Sequence, residues 1–370
     1  MAFSRLALPA RARALVLLSL AVSIAATAPS ATSAAPSAAD ANPALASAPV
    51  DPGIAAALDA AMVRARRGIG VSGMSVAVVT NDGRSWTDAT GLDEAGRPLS
   101  QHDPFTIGSV TKTFTAALVL SLVDEGRIEL DAPVNRYLPN VRMVRGVTVR
   151  QLLTHTSGIA DLYRPLKSYL RKHANDRLSS NDVLNSVGAR WFKAGRGYAY
   201  SNTNYFLLGH VIEFVTGRTF AEELRDRITA PNGLEHTALL TGDDPLLPEA
   251  WSSGFWTSGA MASTPLELAT FGQDLFRARV VSYTSTRRML DYNGGHRYGH
   301  GTQLFRIAGR DLPGHSGLLY STTTLMVHLP AEQITVVLTA PEPNADLAAA
   351  LGRRFRGGSS LLEWVRRLAG

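Results

Sequence analysis

Between Ala116 and Leu120 the stretch Ser109–Glu125 is apolar nearly all the way round a helix, and Gly126 closes it. A helix with one apolar stripe can lie on a surface, but a helix apolar on every side has to be enclosed by other elements. Any fold for this chain must therefore wrap that helix. Its first turn, Ser109-Val110-Thr111-Lys112, sets a lysine among apolar neighbours. An unpartnered ammonium is costly there.

The enclosing elements can be read on either side. Val71–Thr80 is rich in β-branched and small residues and runs into the turn signal Asn81-Asp82-Gly83-Arg84, so a hairpin is expected to begin the globular part. Strand signals return in Thr322–Leu329 and Gln333–Thr339. Between them, Asn202–Thr216 and Phe220–Thr229 read as helices joined through Gly217. Thr264-Pro265-Leu266-Glu267 reads as a capping box with proline at the first helical position, starting a helix to about Phe276. A last helix is expected from about Asn344 to Phe355. Arg356–Ser360 then reads as a hinge before a short amphipathic tail, Leu361–Leu368. Strands at both ends and helices between imply one α/β layer built from the two termini, with an inserted helical region. No internal repeat is visible.

The N-terminus has a different character. Arg5, Arg11 and Arg13 precede the short apolar run Ala14–Ala26, and Ala26-Thr27-Ala28 offers small residues for cleavage. That order reads as a secretory signal over residues 1–28, and the run is too short for a comfortable membrane span. Residues 29–50 are almost wholly Ala, Ser, Pro and Thr, as in a disordered spacer. The expected product is periplasmic or secreted, with no stable membrane anchor after signal removal. The chain has no cysteine, which excludes disulfides, thiolate nucleophiles and lipidated cysteine anchors. The formal charge of +6 loses three with Arg5, Arg11 and Arg13. No dense basic run or aromatic-rich basic patch points to nucleic acid.

Three short constellations carry chemistry. In Ser109-Val110-Thr111-Lys112, residues three apart share a helix face, so Lys112 can take or relay the Ser109 proton. Free N–H groups at the helix start favour a developing oxyanion. Alone, the spacing fits a surface serine beside a solvated lysine just as well. In Tyr200-Ser201-Asn202, a glycine-rich turn enters a helix. A phenol held by cationic neighbours ionises more easily and can serve as a base, while Asn202 can orient Lys112 or bind a substrate carbonyl. The plain alternative is a packed tyrosine and an asparagine helix cap. In His315-Ser316-Gly317, Gly317 permits close approach of a ligand, and the N–H of Leu318 can complete an oxyanion hole. A lone structural histidine fits that segment as well.

Taken in order, these elements resemble the serine beta-lactamase and penicillin-binding superfamily, whose S-x-x-K motif begins its catalytic set. The likeness spans about Asp51 to Arg354 and includes Phe105–Phe114, Val147–Ile159 and Ser258–Thr264. It is strongest to the branch holding class C beta-lactamases, D-alanyl-D-alanine carboxypeptidases and related esterases. The resemblance implies an α/β (α+β) fold, an antiparallel sheet flanked by helices with an inserted all-helical region. The hydrolase domain would be 51–354, its α/β part about 51–100 and 255–354 and its helical part about 101–254, with 355–370 as a tail. It also implies roles: Ser109 as acylated nucleophile, Lys112 as proton partner, Tyr200 as base and then acid, Asn202 orienting substrate. His315, Ser316, Gly317 and Leu318 would line the substrate site, with Ser109 and Leu318 N–H groups as oxyanion donors. His155, in Leu-Leu-Thr-His-Thr-Ser-Gly, is expected to be structural. No cofactor or metal is implied.

Two departures bear on the substrate. Related carboxypeptidases carry a hydroxyl where Leu318 stands, which helps hold the substrate carboxylate. They also present an arginine after Tyr-Gly-x-Gly, where this chain has Thr302 and Gln303 after Tyr298-Gly-His-Gly301. Arg306 and Arg310 follow nearby, and His315 would add positive charge mainly at mildly acid pH. These departures weaken carboxypeptidase specificity and leave more room for ester or neutral-amide substrates. The expected function is still an exported serine hydrolase working through an acyl-enzyme, first a D-alanyl-D-alanine carboxypeptidase/penicillin-binding-type or beta-lactamase-related enzyme, with an esterase on the same scaffold as the alternative. The expected partner is a small molecule or peptide: a peptidoglycan stem peptide, a beta-lactam or an ester. A catalytically weak envelope ligand-binding protein is the non-enzymatic rival. The chain has neither G-x-S-x-G nor H-E-x-x-H, which disfavours an α/β-hydrolase and a zinc hydrolase.

Overall fold

A computed structural model describes residues 49–242 and 244–369. The expected leader, and the expected spacer up to residue 48, lie outside them. Among the described residues there are nine strands: β1 (Gly73–Val79), β2 (Ser85–Gly91), β3 (Phe105–Thr106), β4 (Ala238–Leu239), β5 (Met261–Ser263), β6 (Gln303–Ile307), β7 (Arg310–Leu319), β8 (Thr322–Leu329) and β9 (Ile334–Ala340). Six of them form one antiparallel sheet in the order β2-β1-β9-β8-β7-β6. The β1–β9 pairing joins the two ends of the chain, with Ala77 opposite Val337. This is the antiparallel sheet flanked by helices that the resemblance implies.

Successive side chains on a strand point to opposite faces, so a sheet covered on both sides reads as a continuous apolar run. β1, β8 and β9 are buried along their whole length. Val76, Val78, Val327, Val336 and Leu338 pack on one face with the helix Pro52–Ile69 and the C-terminal helices Leu347–Gly352 and Leu361–Arg366. Ala77, Val79, Met326 and Val337 face the other way, toward the helix Pro265–Phe276 and the buried helix Thr111–Asp124. In that buried helix every residue from Thr111 to Leu120 is buried, and Leu122 with them. The inserted region around it also holds a three-stranded sheet, β3-β5-β4. Its Phe105↔Ser263 pairing ties the chain just upstream of Ser109 to the main body.

Several local readings change. The hairpin does not begin the globular part, because the helix Pro52–Ile69 precedes it. Asp51 caps that helix by accepting from the N–H groups of Gly53 and Ile54 at 2.9 and 3.1 Å. Its stripe of Leu58, Ala61, Met62 and Ala65 is buried but weakly apolar, and it continues the alanine-rich composition of the spacer. Order begins before residue 51, since Pro49 bridges to Ser85 and Val50 is buried. The last expected helix is only Leu347–Gly352. The expected tail is a helix, Leu361–Arg366, with a capping box between Ser360 and Glu363. At Thr264 only half of the expected box forms. Thr264 accepts from the Glu267 N–H, while the Glu267 carboxylate takes the N–H of His236 and the hydroxyl of Thr237.

The C-terminal helix is part of the core, since Leu361, Leu362, Val365 and Leu368 are all buried. Leu361→Ala should therefore cost about 2–4 kcal/mol of stability, read from urea unfolding. An unchanged midpoint would show that this helix adds nothing to the fold.

Candidate active site

Ser109 sits on a short 3-10 turn, Gly108–Val110, that leads directly into the buried helix. The turn is fixed from behind by β3 and by the Ile107 N–H donating to the Met261 carbonyl at 2.9 Å. Strand β7 presses against it from the front. A Cβ on Gly108, at φ +51°, would lie 2.7 Å from the Leu318 nitrogen, and one on Gly317 would lie 1.9 Å from the Ile107 oxygen. No side chain fits at either place. The sequence reading reserved Gly317 for the approach of a ligand, but the backbone that approaches it is the chain's own. The contact brings the Leu318 N–H beside the serine turn, where it and the Ser109 N–H can face one oxyanion.

Lys112 is completely buried one turn further on. Its Nζ lies 2.6 Å from the Ser258 carbonyl, 2.7 Å from Asn202 Oδ1 and 3.0 Å from Ser109 Oγ. Burial lowers its pKa to about 7, although Asp161 pulls the other way. A neutral amine keeps two N–H donors and one lone pair. Carbonyl oxygens only accept, so both protons go to Ser258 and Asn202 and the lone pair faces the Ser109 hydroxyl. The neutral lysine is thus already aimed at the proton it must take.

Tyr200, expected as base and then acid, stands beside the nucleophile. Its hydroxyl interacts with the Ser109 side chain, and burial holds its pKa well above the usual phenol value. Lys112 Nζ lies 4.9 Å from the centre of its ring. Burial thus works against a free phenolate, while it favours the neutral form of Lys112. His155 brackets this tyrosine. Its carbonyl accepts from the Ala199 N–H at 3.1 Å, its Nδ1 accepts from the Ser201 N–H at 3.2 Å, and the two rings are 4.3 Å apart. Asn202 is held by a residue the sequence gave no sign of. Asp161 Oδ1 accepts from its N–H at 2.7 Å, capping the helix Asn202–Thr216 from a distance.

His315 lies within β7, fully buried. Burial, with Lys112 nearby, lowers its pKa to about 3, so it brings no positive charge to the site at mildly acid pH. Its Nδ1 is 2.6 Å from the Ser316 carbonyl and must carry the proton, leaving Nε2 to accept from the Tyr298 hydroxyl at 3.1 Å. Ser316 lines the same cavity as Ser109, its N–H and hydroxyl both donating to Gln303 Oε1 at 3.0 and 3.1 Å. Leu318 is 46% exposed. A cavity of about 530 Å³ opens beside it, running from Ser109, Tyr198 and Tyr200 past Leu318 to the segment 344–348. Arg306 pairs with Asp311 at 3.1 Å and Arg310 with Glu332 at 2.6 Å, and neither lines that cavity. Among the described residues no cluster of His, Asp or Glu could hold a metal ion.

The family model described as Beta-lactamase matches residues 58–355. The chain belongs to that family. Among its relatives are a D-aminopeptidase of Gluconobacter oxydans, 27% identical over 69% of this chain and 54% of the relative, and the esterase EstB of Burkholderia gladioli, 34% identical over 51% of this chain and 53% of the relative. A solved D-stereospecific amidohydrolase from Streptomyces sp. superposes with a TM-score of 0.69 at 27% identity, covering 82% of this chain and 99% of its own. The chain spans between 32% and 62% of the length of the first curated relatives it matches. A beta-lactamase-family hydrolase with this geometry should lose all covalent labelling by a fluorophosphonate or a beta-lactam in Ser109→Ala, with its circular dichroism unchanged. In the wild type the labelling rate should rise with pH through about 7 and level off above it, because the reactive lysine is the neutral form. An adduct on another serine, or a rate that falls through this range, would contradict the assignment.

Proposed function

We propose that this protein is an exported serine hydrolase that cleaves esters or amides through a Ser109 acyl-enzyme and does not require a free carboxylate next to the scissile bond. The acyl-enzyme chemistry rests on one observation, the lone pair of a neutral Lys112 facing Ser109 Oγ at 3.0 Å. Ser109 Oγ attacks the substrate carbonyl carbon while its proton passes to Lys112 Nζ. The oxyanion takes hydrogen bonds from the N–H groups of Ser109 and Leu318. As the tetrahedral intermediate collapses, the bond to the leaving group breaks. The lysine proton reaches the leaving nitrogen or oxygen directly or through the Tyr200 hydroxyl. Water then attacks the acyl carbon and gives one proton to Lys112; the bond from that carbon to Ser109 Oγ breaks, Lys112 returns the proton to Oγ, and the carboxylic acid leaves. Export is inferred from the charged, apolar and small-residue order of the leader.

The carboxylate is what separates this reading from a D-alanyl-D-alanine carboxypeptidase or penicillin-binding enzyme. Leu318 offers no side-chain hydrogen bond, His315 is neutral, and Arg306 and Arg310 are already paired. A carboxylate buried beside them would lack the charge-assisted hydrogen bonds that hold such a group, typically ~1.5–3 kcal/mol each. Relatives named as a D-aminopeptidase and an esterase are consistent with this choice.

Wild type should hydrolyse a D-Ala-D-Ala peptide methyl ester or amide with higher kcat/KM than the free acid. Leu318→Thr should narrow that gap by improving the free acid, with short-ester turnover little changed. A strong wild-type preference for the free acid at pH 8 would return the assignment to a carboxypeptidase.

A further inference from the structure

We infer that the cavity beside Ser109 selects substrates that carry a protonated amine, and that Asp346 receives it. This rests on the acyl-enzyme reading of Ser109 and adds the substrate's charge to it.

The inference begins from the charges that line the cavity. Among the described residues its walls hold no lysine, arginine or histidine, and Asp346 is the only acidic side chain on them. The two ionisable hydroxyls, Tyr198 and Tyr200, are kept protonated by burial. The arginines of this part of the molecule are engaged with other partners. Arg297 and Arg306 share Asp311, Arg310 and Arg366 share Glu332, and Arg354 pairs with Glu363. Asp346 makes no ion pair among the described residues. Its Oδ1 accepts the Ala349 N–H at 3.0 Å, and the residue is exposed on the cavity wall.

The segment that carries this carboxylate is held in place. The Thr323 hydroxyl donates to the Glu342 carbonyl at 2.7 Å and accepts from the Ala345 N–H at 3.3 Å, and Thr323 itself lines the cavity. Leu318, Leu325 and Phe305 line the same cavity as Ser109 and Asp346, together with the neutral polar side chains of Gln303, Thr324 and Asn344. Apolar surface and a single carboxylate in one cavity fit an alkyl chain ending in an ammonium. The same charge repels the carboxylate-ended alternative. The pair would be solvent-accessible, so its contribution is modest and sensitive to salt.

The test uses p-nitrophenyl 6-aminohexanoate against p-nitrophenyl heptanoate, which differ only in an ammonium for a terminal methyl. Aminoalkyl and alkyl esters of acetic acid probe the leaving-group side in the same way. At low ionic strength the ammonium member of one pair should show a roughly three- to tenfold higher kcat/KM in wild type, shrinking as salt is added. Asp346→Asn keeps a competent cap for the helix Leu347–Gly352, because asparagine serves there as well as aspartate. In that variant the ratio should fall to about one. In Asp346→Lys it should invert. Equal turnover of both members of every pair by wild type overturns this inference alone, as does a preference that survives in Asp346→Asn. Absence of p-nitrophenol release from both p-nitrophenyl esters in wild type overturns the acyl-enzyme reading, and this inference with it.

Discussion

Burial of the Lys112 ammonium is the constraint around which the rest of the structure is arranged. A lysine with no solvent exposure inside an apolar helix must find an acceptor for each proton or give one up. It does both. Its three partners come from three parts of the chain, the serine turn, the helix Asn202–Thr216 and the Ser258 carbonyl, so one side chain ties them together. The same burial brings its pKa down to about 7. The structural problem and the catalytic opportunity have one cause. The lone pair that burial exposes can point only at Ser109, because the other two partners accept and never donate.

Around that lysine the backbone is held by close approach rather than by side-chain packing. β7 can lie against the serine turn only because Gly108 and Gly317 carry no Cβ. Behind the turn, pairing of β3 with β5 fixes the direction from which Ser109 enters. The two N–H groups proposed to receive the oxyanion therefore sit on segments braced from both sides, and such preorganised donors need no rearrangement as charge develops. The Tyr200 segment is braced similarly. His155 receives the N–H groups on either side of it, and Asp161 caps the helix that follows.

The electrostatics of the site follow from burial as well. His315 and Tyr298 are buried and Tyr200 is half-buried at the cavity wall, and in each case burial favours the neutral form. The mobile charge is left to Lys112. The arginines that could have drawn an anion are bound to Asp311, Glu332 and Glu363 on the outside of the sheet and the C-terminal helix. By the inference above, substrate charge is then sensed by Asp346 on the cavity wall.

What the sequence by itself determined was whatever depends on near neighbours. The apolar run from Ala116 to Leu120 could only be an enclosed helix, and the β-branched runs at Val71–Thr80 and Thr322–Leu329 could only be strands in a covered sheet. Helical spacing alone put Lys112 on the face of Ser109. The helix Pro52–Ile69 was missed because its alanine-rich stripe looks like the spacer before it, and it becomes amphipathic only once the sheet is there to cover it. The amphipathic segment Leu361–Leu368 read as a tail because its pattern does not say which surface its apolar face covers. Only the tertiary structure decided how burial acts on Tyr200 and His315, which group the Ser316 hydroxyl meets, and where Asp161 and Asp346 stand. A side chain's charge depends on how much water reaches it and on groups far away along the chain. Periodicity and spacing carry no information about either.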